Sequence, residues 1–443
     1  MQPRPDRLDV YYGSDLVGAV HDSAPLAFEY ASTWLEAGQR MSLAAIPLKA
    51  GRQATPEVQA FFENLLPEGE LRDYLAAQRK ASTLFSLLLE VAGDTAGAFV
   101  LVGPGQKPEP PRYEATTWKA IAAILAQRSA SAIDIHEHGA RISLAGAQDK
   151  TSLAIFDDGV PRLPKGTSPS THILKPNIRR LAKVWHSAAN EAIVMRAAKL
   201  AGLPTAEVFY EPHTQACVVR RFDRQVRPDG TLARLVQYDL CQLAGIVSGR
   251  KYEKEGGPGL AACAELIRRY SAQPAVDLRH LVRWVFFNLY VGNNDSHAKN
   301  LSIHSVPGRG VALAPFYDLM CTRLYPGLSP EFAFAIGGEV KPGEMSAENL
   351  AQMARQLGMQ PRFLAQQARD MADRVHTAID QAMREIAPSF TPSARTLAER
   401  LERFVSSTTQ KLAARMTATP HRHVHRTKSG LTSKPGGGRR LPA

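Results

Sequence analysis

The chain has 443 residues and carries 54 Lys and Arg against 42 Asp and Glu, a formal net charge of +12. That length suffices for two or three packed domains, and a hydrophobic content of 44% is ordinary for a globular protein. No apolar run reaches bilayer-spanning length and the opening MQPRPDRLDV lacks the apolar stretch of a secretory signal, so a membrane-spanning or secreted protein is excluded and a cytoplasmic one expected.

In chain order, Leu8 to Tyr12 and Leu16 to Val20 read as strands across the turn Gly13-Ser14, and Glu57 to Leu65 reads as a helix. Pro104 to Pro111 is the clearest internal linker, followed by a helix over Thr116 to Arg128. Arg141 to Ile155 reads as strand, small-residue turn, strand. The three small residues Ala145, Gly146 and Ala147 would let backbone N–H groups approach an anion closely, although the stretch is equally a plain β-turn. Thr171 to Pro176 supplies a strand ending in Lys175. A good helix over Ala188 to Ala201 is closed by Gly202 and Pro204.

Beyond about residue 236 the pattern is helical almost throughout. Leu278, Leu281, Val282, Val285, Phe286 and Leu289 fall at helical spacing, the stripe of a helix buried on one face, with Asp277 as its expected N-cap. Directly after it comes NNDSHAKN, Asn293 to Asn300. Taken alone, this cluster is equally a polar C-terminal turn in which Asn and Lys satisfy orphan carbonyls. Leu301 to His304 and Gly310 to Leu313 read as a hairpin around Val306-Pro307-Gly308-Arg309, which would return Asp318 to the side of Asp295.

The spacing then acquires chemical meaning. Asp295 and Asn300 are separated as are the acid and amide of a kinase catalytic loop, H-R-D-x-x-x-x-N, and Asp318 stands where a second metal-binding acid is needed. Two hard oxygen ligands plus ATP phosphates suit Mg²⁺, which seldom occupies an all-protein cage. A lysine on a strand, here Lys175, is the kinase partner of the α- and β-phosphates.

The ordered motifs ISLAGAQDKTSLAI, HILKP, VVRRFDR, VQYDLCQLAG, GNNDSHAKNLSI and APFYDL resemble the HipA family of serine/threonine kinase toxins of type II toxin–antitoxin modules. The resemblance runs from about residue 8 to about residue 410. It includes FFENLLPEG from Phe61 and GDTAGA from Gly93, which match the N-terminal subdomain of full-length members.

This resemblance implies an ATP- and Mg²⁺-dependent enzyme with Asp295 as catalytic base and Asn300 and Asp318 as metal ligands. Lys175 would pair with the phosphates, and Ala145, Gly146, Ala147, Gln148, Asp149 and Lys150 would form the loop over them. His297, Ala298, Lys299 and Tyr317 would line the nucleotide. Arg220, Arg221 and Phe222 match the hinge that holds adenine through the backbone, with Arg220 where members commonly carry Glu; Tyr238 replaces part of a Gln-Glu-Asp run. Ser143 is in register with a serine whose autophosphorylation expels the loop, because a phosphate adds about −1.5 to −2 charge. Members phosphorylate aminoacyl-tRNA synthetases, arresting growth and producing persistence. They bind a small helix-turn-helix antitoxin that carries most of the operator DNA contact. Two other classes are compatible with the same sequence: a catalytically idle DNA-binding corepressor, and a small-molecule kinase of the same fold.

The expected architecture is α+β, a two-lobed protein-kinase-like fold with a mixed N-terminal lobe and an all-α C-terminal lobe. The expected divisions are an N-terminal subdomain over 1–106, an ATP-binding lobe over 107–235, a helical lobe over 236–415 and a basic tail over 416–443. From Thr419 onward the tail has six Lys or Arg and no acid, half of the positive excess. Its Gly, Pro and Ser content reads as disorder, and His421, His423 and His425 as part of a solvated basic arm. Cys217, Cys241, Cys263 and Cys321 lack C-x-x-C spacing and read as buried, reduced thiols.

Overall fold

The computed structural model describes residues 4–37, 41–78, 80–91, 93–127 and 148–418. Ser143, Ala145, Gly146, Ala147 and the basic tail from Thr419 lie outside the described residues.

Among the described residues the chain is α+β, with sheets in its first half and helices dominating the second. The N-terminal unit is an antiparallel sheet in the order Ala27–Tyr30, Asp15–His21, Arg7–Tyr12, Phe99–Val102, backed by the helices Pro56–Asn64, Gly69–Gln78 and Leu84–Val91. The next unit is a six-stranded antiparallel sheet ordered Arg112–Ala115, Pro161–Lys165, Thr151–Ile155, His172–Lys175, Ala216–Arg220, Val208–Glu211. One face carries its own small core of Ile121, Leu125, Leu153, Leu163, Leu174 and Val218. The helix Trp118–Leu125 packs there, its N-terminus closed by Thr117, whose hydroxyl accepts from the Ala120 N–H.

The helix with the predicted apolar stripe spans Pro274–Val291. It begins three residues before the expected cap: Gln273 is the N-cap, and Pro274 opens the helix where a missing N–H costs nothing. Asp277 is buried within the first turn, where it accepts hydrogen bonds from Ser271 and from the Leu313 N–H of the hairpin. The helix is also buried beyond one face, since Trp284, Phe287, Asn288 and Tyr290 are fully enclosed. The long helices Pro361–Ile386 and Pro392–Thr417 cover the side that the stripe left unassigned.

The predicted hairpin forms as Ser302–Val306 with Gly310–Leu313. A third strand absent from the sequence reading, Gln237–Asp239, pairs with it through Gln237 to His304 and Asp239 to Ser302. Three residues carry too little periodicity to be recognised as a strand. The main hydrophobic core runs in one cluster from Leu8 to Met416, so the N-terminal unit shares its interior with the helical part. Tyr238 explains part of this union. Its ring stacks on Phe99 and its hydroxyl donates to the Ser42 carbonyl, so the aromatic replacement serves the seam between units. All four cysteines are buried and unpaired. No helix among the described residues is long and apolar enough to cross a membrane.

Candidate active site

The helix Pro274–Val291 ends at Gly292, which takes a left-handed conformation at φ 72° and donates to the Asn288 carbonyl. The chain beyond it is a knot of local bonds rather than a loose polar turn. Asn293 receives the Asp295 N–H on its side-chain oxygen and gives its amide to Asn288, 2.7 Å away. Asn300 donates its side-chain amide to the Asp295 carbonyl at 3.1 Å, which leaves its own carbonyl oxygen directed elsewhere. The Asp295 side chain is thus presented to a cavity of about 940 Å³ between the six-stranded sheet and the helical part.

Asp318 reaches the same cavity because the chain before it is stitched to the other unit. Phe316 exchanges backbone hydrogen bonds with Pro204 and Ala206, and Cys321 just after it is held on both sides by the buried amide of Asn190. Asp318 itself has φ 61°, a left-handed conformation that Asp tolerates better than most residues. Its Oδ1 lies 2.8 Å from Lys175 Nζ, and the same ammonium lies 2.6 Å from Glu191 Oε1. Glu191 sits on the helix Ser187–Leu200 and is fully buried. Burial lifts the Asp318 carboxyl, but Lys175 and Lys150 more than offset this and hold it well below the usual carboxylate range. Burial would depress Lys175; its two carboxylates prevail and raise it. Lys150, buried and beside Lys175, is pushed down to about 8.

His297 lines the cavity with its ring buried and its Nδ1 without a partner among the described residues. Burial keeps it neutral, lowering it to about 4 despite Asp295 nearby. Phe222 and Tyr317 lie 5.7 Å apart and form an apolar wall, while the Tyr317 hydroxyl is fixed by Ser302 and by the Lys299 carbonyl. Ala298 is buried behind the loop. Gln148, whose side-chain amide donates to the Pro176 carbonyl, and Asp149 also line the cavity.

Three expectations are refined. The N–H groups of Arg220 and Arg221 are already given to the Glu207 and Thr171 carbonyls, which leaves the Phe222 N–H as the hinge donor without a partner among the described residues. The Arg221 guanidinium turns away from the cavity into a buried cluster with Asp94, Asp223, Ser170 and the Thr95 carbonyl. Lys299 lines the cavity. Its ammonium is held by Asn64, Asp239 and Glu68, because those carboxylates and amide offer a buried cation its charge partners.

The sequence reading missed Glu191, whose signal was its place on the first helix after the strand lysine, where the kinase template puts a glutamate. It also missed Asn64, Glu68 and Tyr252, which lack any such template.

The donor set fits Mg²⁺ and ATP. Asp318 offers a second carboxylate oxygen, Asn300 a carbonyl oxygen, and both line the cavity. Among the described residues no cluster of three or more His, Cys, Asp or Glu could hold a metal ion.

Known proteins resemble this chain over most of its length. Residues 8–102 match the HipA N-terminal domain and residues 142–383 the HipA-like C-terminal domain. A putative kinase of Sinorhizobium fredii is 35% identical over 88% of this chain and 94% of its own length. The serine/threonine-protein kinase toxin HipA of Shewanella oneidensis is 28% identical over 86% of this chain and 90% of its own. A solved structure of the Shewanella oneidensis HipA, HipB and operator DNA complex contains a chain that superposes with a TM-score of 0.78 at 26% identity, over 91% of this chain and 97% of that one. Both halves of the molecule, and the lobes that enclose Lys175, Asp295 and Asp318, therefore have the same parentage: this chain belongs to the HipA family.

Proposed function

We propose that this chain is an ATP-dependent serine/threonine protein kinase and the toxin of a type II toxin–antitoxin module. The observation that carries the reading is Lys175 Nζ, held between Glu191 and Asp318 in the wall of a cavity that also receives Asp295 and Asn300. A strand lysine paired with a helix glutamate, beside a metal-binding acid, is the arrangement that protein kinases assemble for phosphoryl transfer.

In this reading Phe222 and Tyr317 hold the adenine, and Lys175 and Lys150 hold the phosphates. Asp295 orients the acceptor hydroxyl for in-line attack on the γ-phosphorus and takes its proton as the bond to the β-phosphate oxygen breaks. Asn300 and Asp318 would hold Mg²⁺, which would supply charge neutralisation to the transferring phosphoryl group. His297 stays neutral and adds a hydrogen-bonding wall without charge. Gln148, Asp149 and Lys150 border the phosphates, and Ser143 is an autophosphorylation site. The acceptor is a protein of the translation apparatus, an aminoacyl-tRNA synthetase. The partner is a small helix-turn-helix antitoxin like HipB, through which the complex reaches operator DNA.

Intact-mass analysis after incubation with Mg-ATP, beside Asp295→Asn and Ser143→Ala, tests this reading. Phosphate on Ser143 in the parent and on neither variant is the expected result. Labelled ATP added to a cell lysate separates a protein kinase from a small-molecule kinase by where the label appears. Full phosphotransfer by Asp295→Asn would remove the catalytic assignment.

A further inference from the structure

The side of the cavity facing Asp295 is closed by a strap over residues 248–257. Its conformation is set by its own backbone: Gly257 N–H donates to the Tyr252 carbonyl and Gly256 N–H to the Glu253 carbonyl. A Cβ on Gly257 would meet the Arg250 carbonyl oxygen at 2.2 Å, so the chain can fold back on itself only with glycine there. Three further ties anchor the strap. Lys251 pairs with Glu68 at 2.7 Å, the Glu253 carboxylate accepts from the Ala335 N–H at 2.8 Å, and Lys254 lies 3.6 Å from Glu331.

The result is a tyrosine aimed at the candidate base. Tyr252 donates its hydroxyl to Asp295 Oδ1 at 2.5 Å, and its ring meets the His297 ring edge-on at 5.1 Å. Among the described residues Asp295 Oδ2 accepts no hydrogen bond. One carboxylate oxygen is therefore occupied and the other is available, and the occupied one fixes how the available one points.

We propose that Tyr252 is a positioning residue of the phosphotransfer site: by holding Asp295 Oδ1 it sets the rotamer in which Oδ2 meets the acceptor hydroxyl. This rests on the kinase reading above. An aspartate free to rotate about its own side-chain torsions would spend only part of its time in line with the acceptor, and orientation of this kind is a large share of what a catalytic loop supplies. The strap's ties to Glu68 and Ala335 make the N-terminal unit and the helical part joint owners of that orientation.

The test is Tyr252→Phe, which removes one oxygen and keeps the ring against His297. Label transfer from γ-labelled Mg-ATP to a nucleotide-depleted lysate is followed at varied ATP, alongside the parent and Asp295→Asn, with melting temperatures for each. The expected result is a fall of about tenfold in the rate at saturating ATP, the size expected for one hydrogen bond to a charged group, with the KM for ATP and the melting temperature unchanged. A merely structural role would move the last two. Crystal structures of parent and variant give a second readout that does not depend on activity, and the Asp295 carboxylate is expected in a different rotamer in the variant. A variant as fast as or faster than the parent, or an unmoved carboxylate, overturns the proposal. If the parent transfers no more label than the lysate without added protein, the kinase reading fails by itself, and the paired structures still decide whether Tyr252 positions Asp295.

Discussion

Lys175 and Glu191 meet at 2.6 Å in the interior of the protein, both nearly inaccessible to solvent. The pair joins the strand His172–Lys175 to the helix Ser187–Leu200, and Asp318 completes it with a second contact to the same ammonium.

Removing either partner should be costly in two ways. Lys175→Met leaves the buried Glu191 carboxylate without its ammonium, and a loss of about 3–5 kcal/mol in unfolding free energy is expected. Glu191→Gln keeps a hydrogen-bond acceptor for the ammonium and should lose much less stability. It frees Lys175 to lean wholly on Asp318 and should lower turnover more than fold. Urea unfolding and label transfer, measured on the same preparations, separate the two.

The buried cluster of Asp94, Arg221, Asp223, Arg224 and Arg234 joins the GDTAGA segment to the hinge. Asp94→Ala would strand three guanidinium groups around a missing acid, and a destabilisation of about 3–5 kcal/mol is expected by the same logic. Because Arg221 adjoins Phe222 in the cavity wall, the proposed nucleotide site should lose affinity in the folded fraction as well. Binding of a fluorescent ATP analogue at a temperature well below the melting point checks this.

His297 sets a pH dependence of stability. Its folded value is lowered to about 4, chiefly by burial, against an unfolded value of 6.5. Between these values the unfolded chain binds more protons, so stability rises with pH there; this contribution is fully present above about 6.5 and is lost as pH falls toward 4. His297→Gln should flatten this part of the profile by on the order of 2 kcal/mol. Unfolding curves at pH 7 and pH 5 for parent and variant give the difference directly.

Lys150 should make binding at the proposed nucleotide site proton-linked. In the free protein burial and the neighbouring Lys175 push it down to about 8. An anionic phosphate beside it would restore the charged form, so ATP binding between about pH 8 and 9 should take up protons. Calorimetry in buffers of different ionisation enthalpy should show a binding enthalpy that varies with the buffer at pH 8.5. Lys150→Met should abolish the variation, and a parent with none would refute the linkage.

The sequence alone determined the elements with long local signals: the stripe of the helix Pro274–Val291, the hairpin after Asn300, the strand ending in Lys175 and the spacing of Asp295 to Asn300. These are short-range facts, because periodicity and turn chemistry are written in neighbouring residues. Only tertiary structure could decide what lies across the cavity. Asp277 gave up the capping role because its carboxylate found Leu313 N–H, 36 positions away. The Lys299 ammonium went to Asn64, 235 positions away, and the Arg221 guanidinium to Asp94, 127 away. A buried charge goes to whichever partner the fold delivers, since leaving it unpaired costs several kcal/mol, and no spacing along the chain announces that partner in advance.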